Sequence, residues 1–184
     1  MCCLSHPHLS ILVVSNNVFP DVDGLCLTLT PNSHNLNYRS AVLFGYATVV
    51  DELQEKLYAM EVITDGIVPD RWRNTRNPPN AAEMQSTSIL RVRIESGSAK
   101  VRTGSANLDK KGDLEDAELK SRVWTGIIPM YVTLGEPVPR GDNLVSELPN
   151  YLRDFVKDSN EDAKAYAFDC INVEVPKKAH NDDD

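Results

Sequence analysis

The residues with the greatest chemical potential lie in one short stretch, residues 32–40. It combines amide, hydroxyl, imidazole, phenol and guanidinium groups, carried by Asn32, Ser33, His34, Asn35, Asn37, Tyr38, Arg39 and Ser40. We expect a polar turn that leads into a strand, where such groups can converge on a ligand held by a rigid scaffold. No spacing in the stretch dictates one reaction, so the residues alone leave the chemistry open.

Two residues of this stretch have alternative roles. Arg39 at a strand entrance can bind a phosphate through paired donors, or it can pair with a carboxylate of the same sheet. His34 is the only histidine outside the termini. A lone histidine in a turn is more typical of a hydrogen-bonded structural residue than of a catalytic base.

Several catalytic classes lack their usual motifs in this sequence. There is no zinc-type His-x-Glu and Cys cluster, no glycine-rich phosphate loop, no Gly-x-Ser-x-Gly elbow and no His-Glu-x-x-His pair. Zinc chemistry, kinase-type transfer and serine hydrolysis therefore lose support, and no metal site is predicted.

Composition sets the broad class. A chain of 184 residues with 41% hydrophobic and 25% charged residues suits one folded domain with tails. The net charge of −8 argues against a nucleic-acid partner. The four cysteines lack metal-site spacing, and neither a secretory segment nor an apolar run of about 20 residues occurs. We therefore expect a reduced, cytoplasmic protein without membrane attachment.

The elements that must position the polar stretch follow from hydrophobic periodicity. Leu25, Leu27 and Leu29 alternate with Cys26, Thr28 and Thr30 as in a half-buried strand. Gly45 indicates either a bulge or a close approach by another backbone or a ligand, and Trp72 is expected to fill the core. Residues 103–113 are expected to form a mobile loop, and 124–139 a proline-rich extended segment rather than a regular central strand. The predicted strands are 9–14, 25–30, 39–50 and 88–95, and residues 98–102 extend the last of them. The predicted helices are 51–63, 81–85, 114–123 and 148–156, and Asp51 is expected to cap the first.

Six sequence segments, taken in order, resemble one known family. The resemblance is to the flavin-nucleotide-binding, pyridoxamine 5′-phosphate oxidase-like proteins, including the 5-nitroimidazole resistance group, and it spans residues 22–156. The segments are SHNLNYRSAVLFGYA at 33–47, EKLYAME at 55–61, VPDRW at 68–72, STSILRV at 86–92, AKVR at 99–102 and VWTGIIP at 123–129.

The resemblance implies a fold, a cofactor and a partner. It implies an α+β, mainly β, FMN-binding split β-barrel with peripheral helices, acting as a homodimer with flavin at the subunit interface. Such a protein is a possible oxidoreductase that acts on a small molecule. The implied flavin site is lined by Asn37, Tyr38, Arg39 and Ser40, with Trp124 packing on flavin or partner.

The sequence also departs from the family pattern at its start. Family members carry earlier strands with a His-Gly element that holds the flavin phosphate, and we find no counterpart before Val22. We therefore expect an atypical segment over 1–21, an incomplete split barrel over 22–157 and a tail over 158–184. The alternative function is a non-catalytic or remnant protein that no longer binds flavin.

Overall fold

The computed structural model describes residues 9–12, 22–106 and 109–172, with the backbone alone for 9–12. These residues form an α+β fold in which strands and helices are interspersed along the chain. None of the described helices is both long and apolar enough to span a membrane. The strands are β1 (Leu9–Leu12), β2 (Val22–Leu27), β3 (Asn35–Val49), β4 (Leu90–Arg102) and β5 (Gly126–Pro129), and the helices are α1 (Leu53–Ile67), α2 (Ala81–Ser86), α3 (Lys111–Glu115), α4 (Ala117–Arg122) and α5 (Asn150–Asn172).

The strands belong to one sheet with the order β1-β3-β2-β5, and β4 also pairs with β3. The β1–β3, β2–β3 and β2–β5 pairs are antiparallel. The chain divides into two compact units, and β3, β4 and α5 contribute residues to both. Of the described residues, unit 1 comprises 9–12, 41–98 and 134–159, and unit 2 comprises 22–40, 99–106, 109–133 and 160–172.

In unit 1, β3 has a close backbone neighbour at Gly45. Gly45 is buried, and a Cβ atom added there would lie 2.3 Å from the carbonyl oxygen of Arg93 on β4. On β1, the register runs from Leu9 opposite Tyr46 to Leu12 opposite Leu43. The predicted close approach at Gly45 is therefore confirmed, and its cause is the paired strand β4.

Helix α1 begins two residues later than predicted and has a different cap. The carboxylate of Glu52, not that of Asp51, accepts hydrogen bonds from the backbone N–H groups of Gln54 and Glu55. The predicted apolar face is only partly covered, since Leu53 and Ile63 are each more than half exposed. Periodicity identifies residues that share a face, but it does not determine what covers that face.

In unit 2, the buried side of β2 is not the leucine side. Cys26 and Thr28 are almost completely buried, whereas Leu25 and Leu27 are half-buried. The strand pairs on both edges, with residues 35–38 of β3 and with β5. Thr28 tolerates burial because its hydroxyl bonds the carbonyl of Thr30, 3.1 Å away.

Several other expectations are corrected by the structure. Residues 35–38 are strand rather than turn, β4 is one continuous strand, and α5 continues past residue 158 to Asn172. Asp116 ends α3 and caps α4, so one predicted helix is two. Residues 126–129 form a strand because their backbone groups pair with β2. Trp72 was expected to fill the core, but it is half-buried in the turns after α1, where its backbone N–H donates to the carboxylate of Asp65.

A glycine-to-alanine pair in unit 1 tests this packing. Gly45→Ala should lower the free energy of unfolding by about 1–3 kcal/mol, because the new methyl group meets the β4 backbone. Gly66→Ala is the matched control. Gly66 lies within α1 with nothing within 4 Å of an added Cβ, and alanine should raise the free energy of unfolding by about 0.5–1 kcal/mol. Urea denaturation followed by circular dichroism measures both, and an unchanged midpoint for Gly45→Ala would contradict the close approach.

Candidate functional site

The predicted site residues all belong to unit 2, but four of them lie on a regular strand. Asn37, Tyr38, Arg39 and Ser40 are consecutive residues of β3, which begins after a short 3-10 turn at Pro31–Ser33. Successive side chains of a strand point to opposite faces, so Asn37 and Arg39 share one face and Tyr38 and Ser40 the other. The four therefore cannot line one surface together.

Asn37 is completely buried and uses its amide inside the protein. Its Nδ2 donates to the carbonyl oxygen of Gly104 at 3.0 Å, and its Oδ1 accepts from the thiol of Cys26 at 3.4 Å. The N–H of Gly104 in turn donates to the carbonyl oxygen of Cys170 on α5, at 2.7 Å. Asn37 thus joins β3 to β2 and to the loop after β4, and that loop continues the connection to α5.

Arg39 forms an ion pair with Asp23 on β2. Its Nε and Nη2 atoms donate to the two carboxylate oxygens at 3.0 and 2.9 Å, which is the bidentate geometry of a strong pair. The Asp23 side chain is 6% exposed and that of Arg39 is 34% exposed. The guanidinium carbon also lies 3.9 Å from the centre of the Tyr166 ring. Of the two roles left open for Arg39, the structure therefore contains the carboxylate pair.

His34 has a structural hydrogen bond of the kind the sequence favoured. Its Nδ1 accepts the backbone N–H of Thr28 at 3.1 Å and also lies 3.1 Å from the Thr28 hydroxyl. An accepting Nδ1 requires the proton of a neutral ring to be on Nε2. His34 therefore stabilises the connection between β2 and β3.

Trp124 differs from the β3 residues because its side chain is open. The residue is 65% exposed and precedes β5. The indole packs over Gly126, where an added Cβ would lie 2.8 Å from the ring. An indole fixed in this way offers a planar surface to a ligand or to another protein chain. Tyr38 is half-buried, and Ser40 is exposed.

Arg102, the last residue of β4, was not among the predicted site residues. Its Nε is buried and has no hydrogen-bond partner. Among the described residues Arg102 forms no ion pair, and its guanidinium interacts electrostatically with Cys26. The segment AKVR at 99–102 marked this region only as a family feature, because sequence cannot show which donors lack partners.

Three side chains of unit 2 have a raised pKa: Cys26, Tyr166 and Cys170. Burial raises the pKa of the Cys26 thiol, although Arg102 and the hydrogen bond to Asn37 oppose the shift. Burial also raises the pKa of Cys170 and that of Tyr166, which donates a hydrogen bond to the Cys170 sulfur. No group of three or more potential metal ligands occurs in the described part of the chain.

A family model described as pyridoxamine 5′-phosphate oxidase matches residues 9–101, just over half of the chain. The chain belongs to this family. Its predicted fold class, an α+β split β-barrel, is confirmed by the family match and by the structural likeness given below. The matched range includes β1, which sequence analysis had assigned to an atypical segment. A search of curated proteins finds no match.

Two solved structures share the fold of this chain. The flavocytochrome Anf3 from Azotobacter vinelandii is 28% identical, with a TM-score of 0.62 over 80% of this chain and 62% of the other. The FAD- and heme-binding protein from Mycobacterium smegmatis is 21% identical, with a TM-score of 0.62 over 79% of this chain and 65% of the other. The chain therefore spans less than two thirds of each of these proteins.

Breaking the Asp23–Arg39 pair should destabilise the protein. Asp23→Asn leaves a partly buried arginine without its carboxylate, so we expect the free energy of unfolding to fall by about 1–3 kcal/mol, with allowance for the exposed part of Arg39. The matched control is Asp142→Asn, which removes the exposed Arg140–Asp142 pair and should cost at most about 0.5 kcal/mol. Equal losses in urea denaturation would argue against a structural role for the Asp23–Arg39 pair.

The raised thiol pKa values predict loss of stability in alkali. A group whose pKa is higher in the folded state stabilises the protein fully below its unfolded pKa of about 8.5, and this contribution is lost as the pH rises above that value. We expect the urea midpoint to fall between about pH 7 and about pH 9.5, and the fall to be smaller in the double variant Cys26→Ala/Cys170→Ala. The same pH dependence in both proteins would contradict the prediction.

Proposed function

We propose that the chain binds a flavin nucleotide, with FMN as the first candidate, and that it acts as an oxidoreductase on a small molecule. The observation that carries this proposal is family membership, because the matched residues 9–101 include the polar stretch of β3. A bound flavin supplies hydride and single-electron transfer, while the protein supplies binding, orientation and electrostatics.

The two structural neighbours support a flavin but leave its identity open. One is described as a flavocytochrome and the other as an FAD- and heme-binding protein. FAD is therefore the competing cofactor. One finer proposal, that the protein belongs with the 5-nitroimidazole resistance group, derives from the sequence resemblance. The other, that it is cytoplasmic, derives from its cysteine usage and composition.

Residues of unit 2 fit the chemistry of a flavin nucleotide. The orphaned Nε of Arg102 is a donor suited to an anionic group, and the exposed indole of Trp124 is suited to a planar ring. Asn37 and Arg39 would act differently from the original expectation. They would hold β2, β3 and the loop after β4 in position, since their polar atoms already have protein partners.

We also propose that the protein functions as a homodimer. Large apolar side chains are exposed on several elements, a pattern typical of surfaces that meet another chain. A second copy would cover part of this surface and complete a flavin site at the interface. The exposed apolar residues of α1 and β4 are Leu53, Tyr58, Val62, Ile63, Ile67, Leu90, Ile94 and Val101.

The alternative function is a non-catalytic protein that has lost flavin affinity. The specific observation in its favour is that Asn37 is fully buried and Arg39 is paired with Asp23. Two of the predicted cofactor residues would then serve stability alone.

Flavin binding separates the two functions. Titration of the purified protein with FMN and with FAD should quench flavin fluorescence with saturation. Trp124→Ala should weaken the preferred flavin by about 2- to 12-fold if the indole stacks on the ring, as expected for an aromatic pair. Trp72→Ala is the matched control, because Trp72 is half-buried in unit 1, and it should leave affinity unchanged. Wild-type protein that binds neither flavin would favour the non-catalytic alternative.

A further inference from the structure

Arg102 is positively charged, and among the described residues it has no ion pair and one buried donor without an acceptor. The residue is half-buried, and the Nε atom is sealed from water without a hydrogen-bond partner. Leaving such a donor buried and unpaired costs stability, and the cost is larger for a charged group. A partner at this position would recover that cost, so the orphaned atom indicates that a ligand belongs there.

The other described arginines do not share this situation. Arg122, on the last turn of α4, has no ion pair among the described residues either, but it is exposed and can be solvated by water. Arg71 donates to the Tyr151 hydroxyl, and Arg153 donates to the side chain of Asn150 and the carbonyl of Leu148. The arginines that form ion pairs are Arg39, Arg73, Arg76, Arg91, Arg93 and Arg140.

Two carboxylates of unit 2 have protein partners other than Arg102. Asp23 is bound by Arg39 at both carboxylate oxygens. Asp109 accepts the backbone N–H of Leu29 at 2.9 Å. Cys26, which interacts with Arg102, is a buried thiol whose pKa is raised by burial, so it stays neutral near pH 7.

The surroundings of Arg102 are organised enough to hold a ligand. Two residues later, Gly104 has a φ of 92° and is fixed by hydrogen bonds to Asn37 and to the Cys170 carbonyl. Lys100 lies two residues earlier on β4, on the same face of the strand as Arg102. It is exposed and adds a second positive charge. A phosphate monoester matches this arrangement, because its oxygens accept from the planar guanidinium through paired hydrogen bonds.

We propose that Arg102, rather than Arg39, binds the phosphate group of the flavin nucleotide. The inference rests on the proposed function, since it assigns a residue to that ligand. The family match ends at residue 101, and Arg102 closes the AKVR segment of the sequence resemblance, so the assignment rests on the unpartnered donor and not on the match. Arg39 is held by both oxygens of Asp23, whereas the Nε of Arg102 has no partner.

Comparison of FMN with riboflavin tests the assignment, because the two differ only in the phosphate. Both are titrated into wild-type protein and into Arg102→Ala, Arg102→Lys and Arg122→Ala, with circular dichroism to compare folding. Arg102→Ala should weaken FMN by about 10- to 100-fold, the range of a lost charge-assisted hydrogen bond, and leave riboflavin unchanged. Arg102→Lys keeps the charge but loses the planar fork, so its effect on FMN should be smaller. Arg122→Ala should match the wild type for both ligands.

The outcomes distinguish failure of the phosphate assignment from failure of the proposed function. Unchanged FMN affinity in Arg102→Ala, or equal weakening of FMN and riboflavin, overturns the phosphate assignment while flavin binding stands. If Arg102→Ala does not fold, the folded Arg102→Lys variant decides by the same FMN-to-riboflavin comparison, and equal effects on the two ligands overturn the assignment. Wild-type protein that binds neither FMN nor FAD overturns the proposed function, and this inference with it. Binding of FAD without binding of FMN keeps the function and overturns the assignment of Arg102 to a phosphate monoester.

Discussion

A buried amide must find its hydrogen-bond partners inside the protein, and Asn37 imposes this constraint on unit 2. Its side chain is 0% exposed and bridges the Cys26 thiol to the carbonyl of Gly104. Gly104 continues the connection to Cys170 on α5. The positions of β2, β3, the loop after β4 and the end of α5 therefore depend on one another, and a shift of one element would leave a buried polar group without a partner.

Polar bonding carries unusual weight here because the described apolar core is small. The largest fully buried side chains are those of Asn37, Thr28 and Cys26. The buried hydrophobic residues among those described are Cys26, Leu29, Val50, Ala167 and Cys170. Many larger apolar side chains are exposed instead, so they add little to the hydrophobic stabilisation of the described residues.

The need for hydrogen-bond partners separates the polar residues of the candidate site into those with protein partners and those without. Asn37 and Arg39 share a face of β3, and their polar groups bond to protein groups. They therefore hold neighbouring elements in position. Arg102 and Trp124 retain unused capacity, one as a buried donor and the other as an open ring. Both are tied to neighbouring residues of β2: Arg102 interacts with Cys26, and Leu27 pairs with Gly126 beneath the indole. The residues suited to bind a ligand therefore lie beside the hydrogen-bonded residues and are not the same residues.

The sequence by itself identified the fold class and the family through the resemblance of short segments taken in order, and it located α1, α2 and most of β3 and β4 through local periodicity. It also identified Gly45 as a close approach and His34 as structural. Only the tertiary structure decided that Arg39 pairs with Asp23, that the Cys26 side of β2 is buried and that residues 126–129 form a strand. Each of these depends on a partner distant in the chain. A sequence pattern records which donors and faces a residue offers, whereas their use depends on what folding brings within hydrogen-bonding distance.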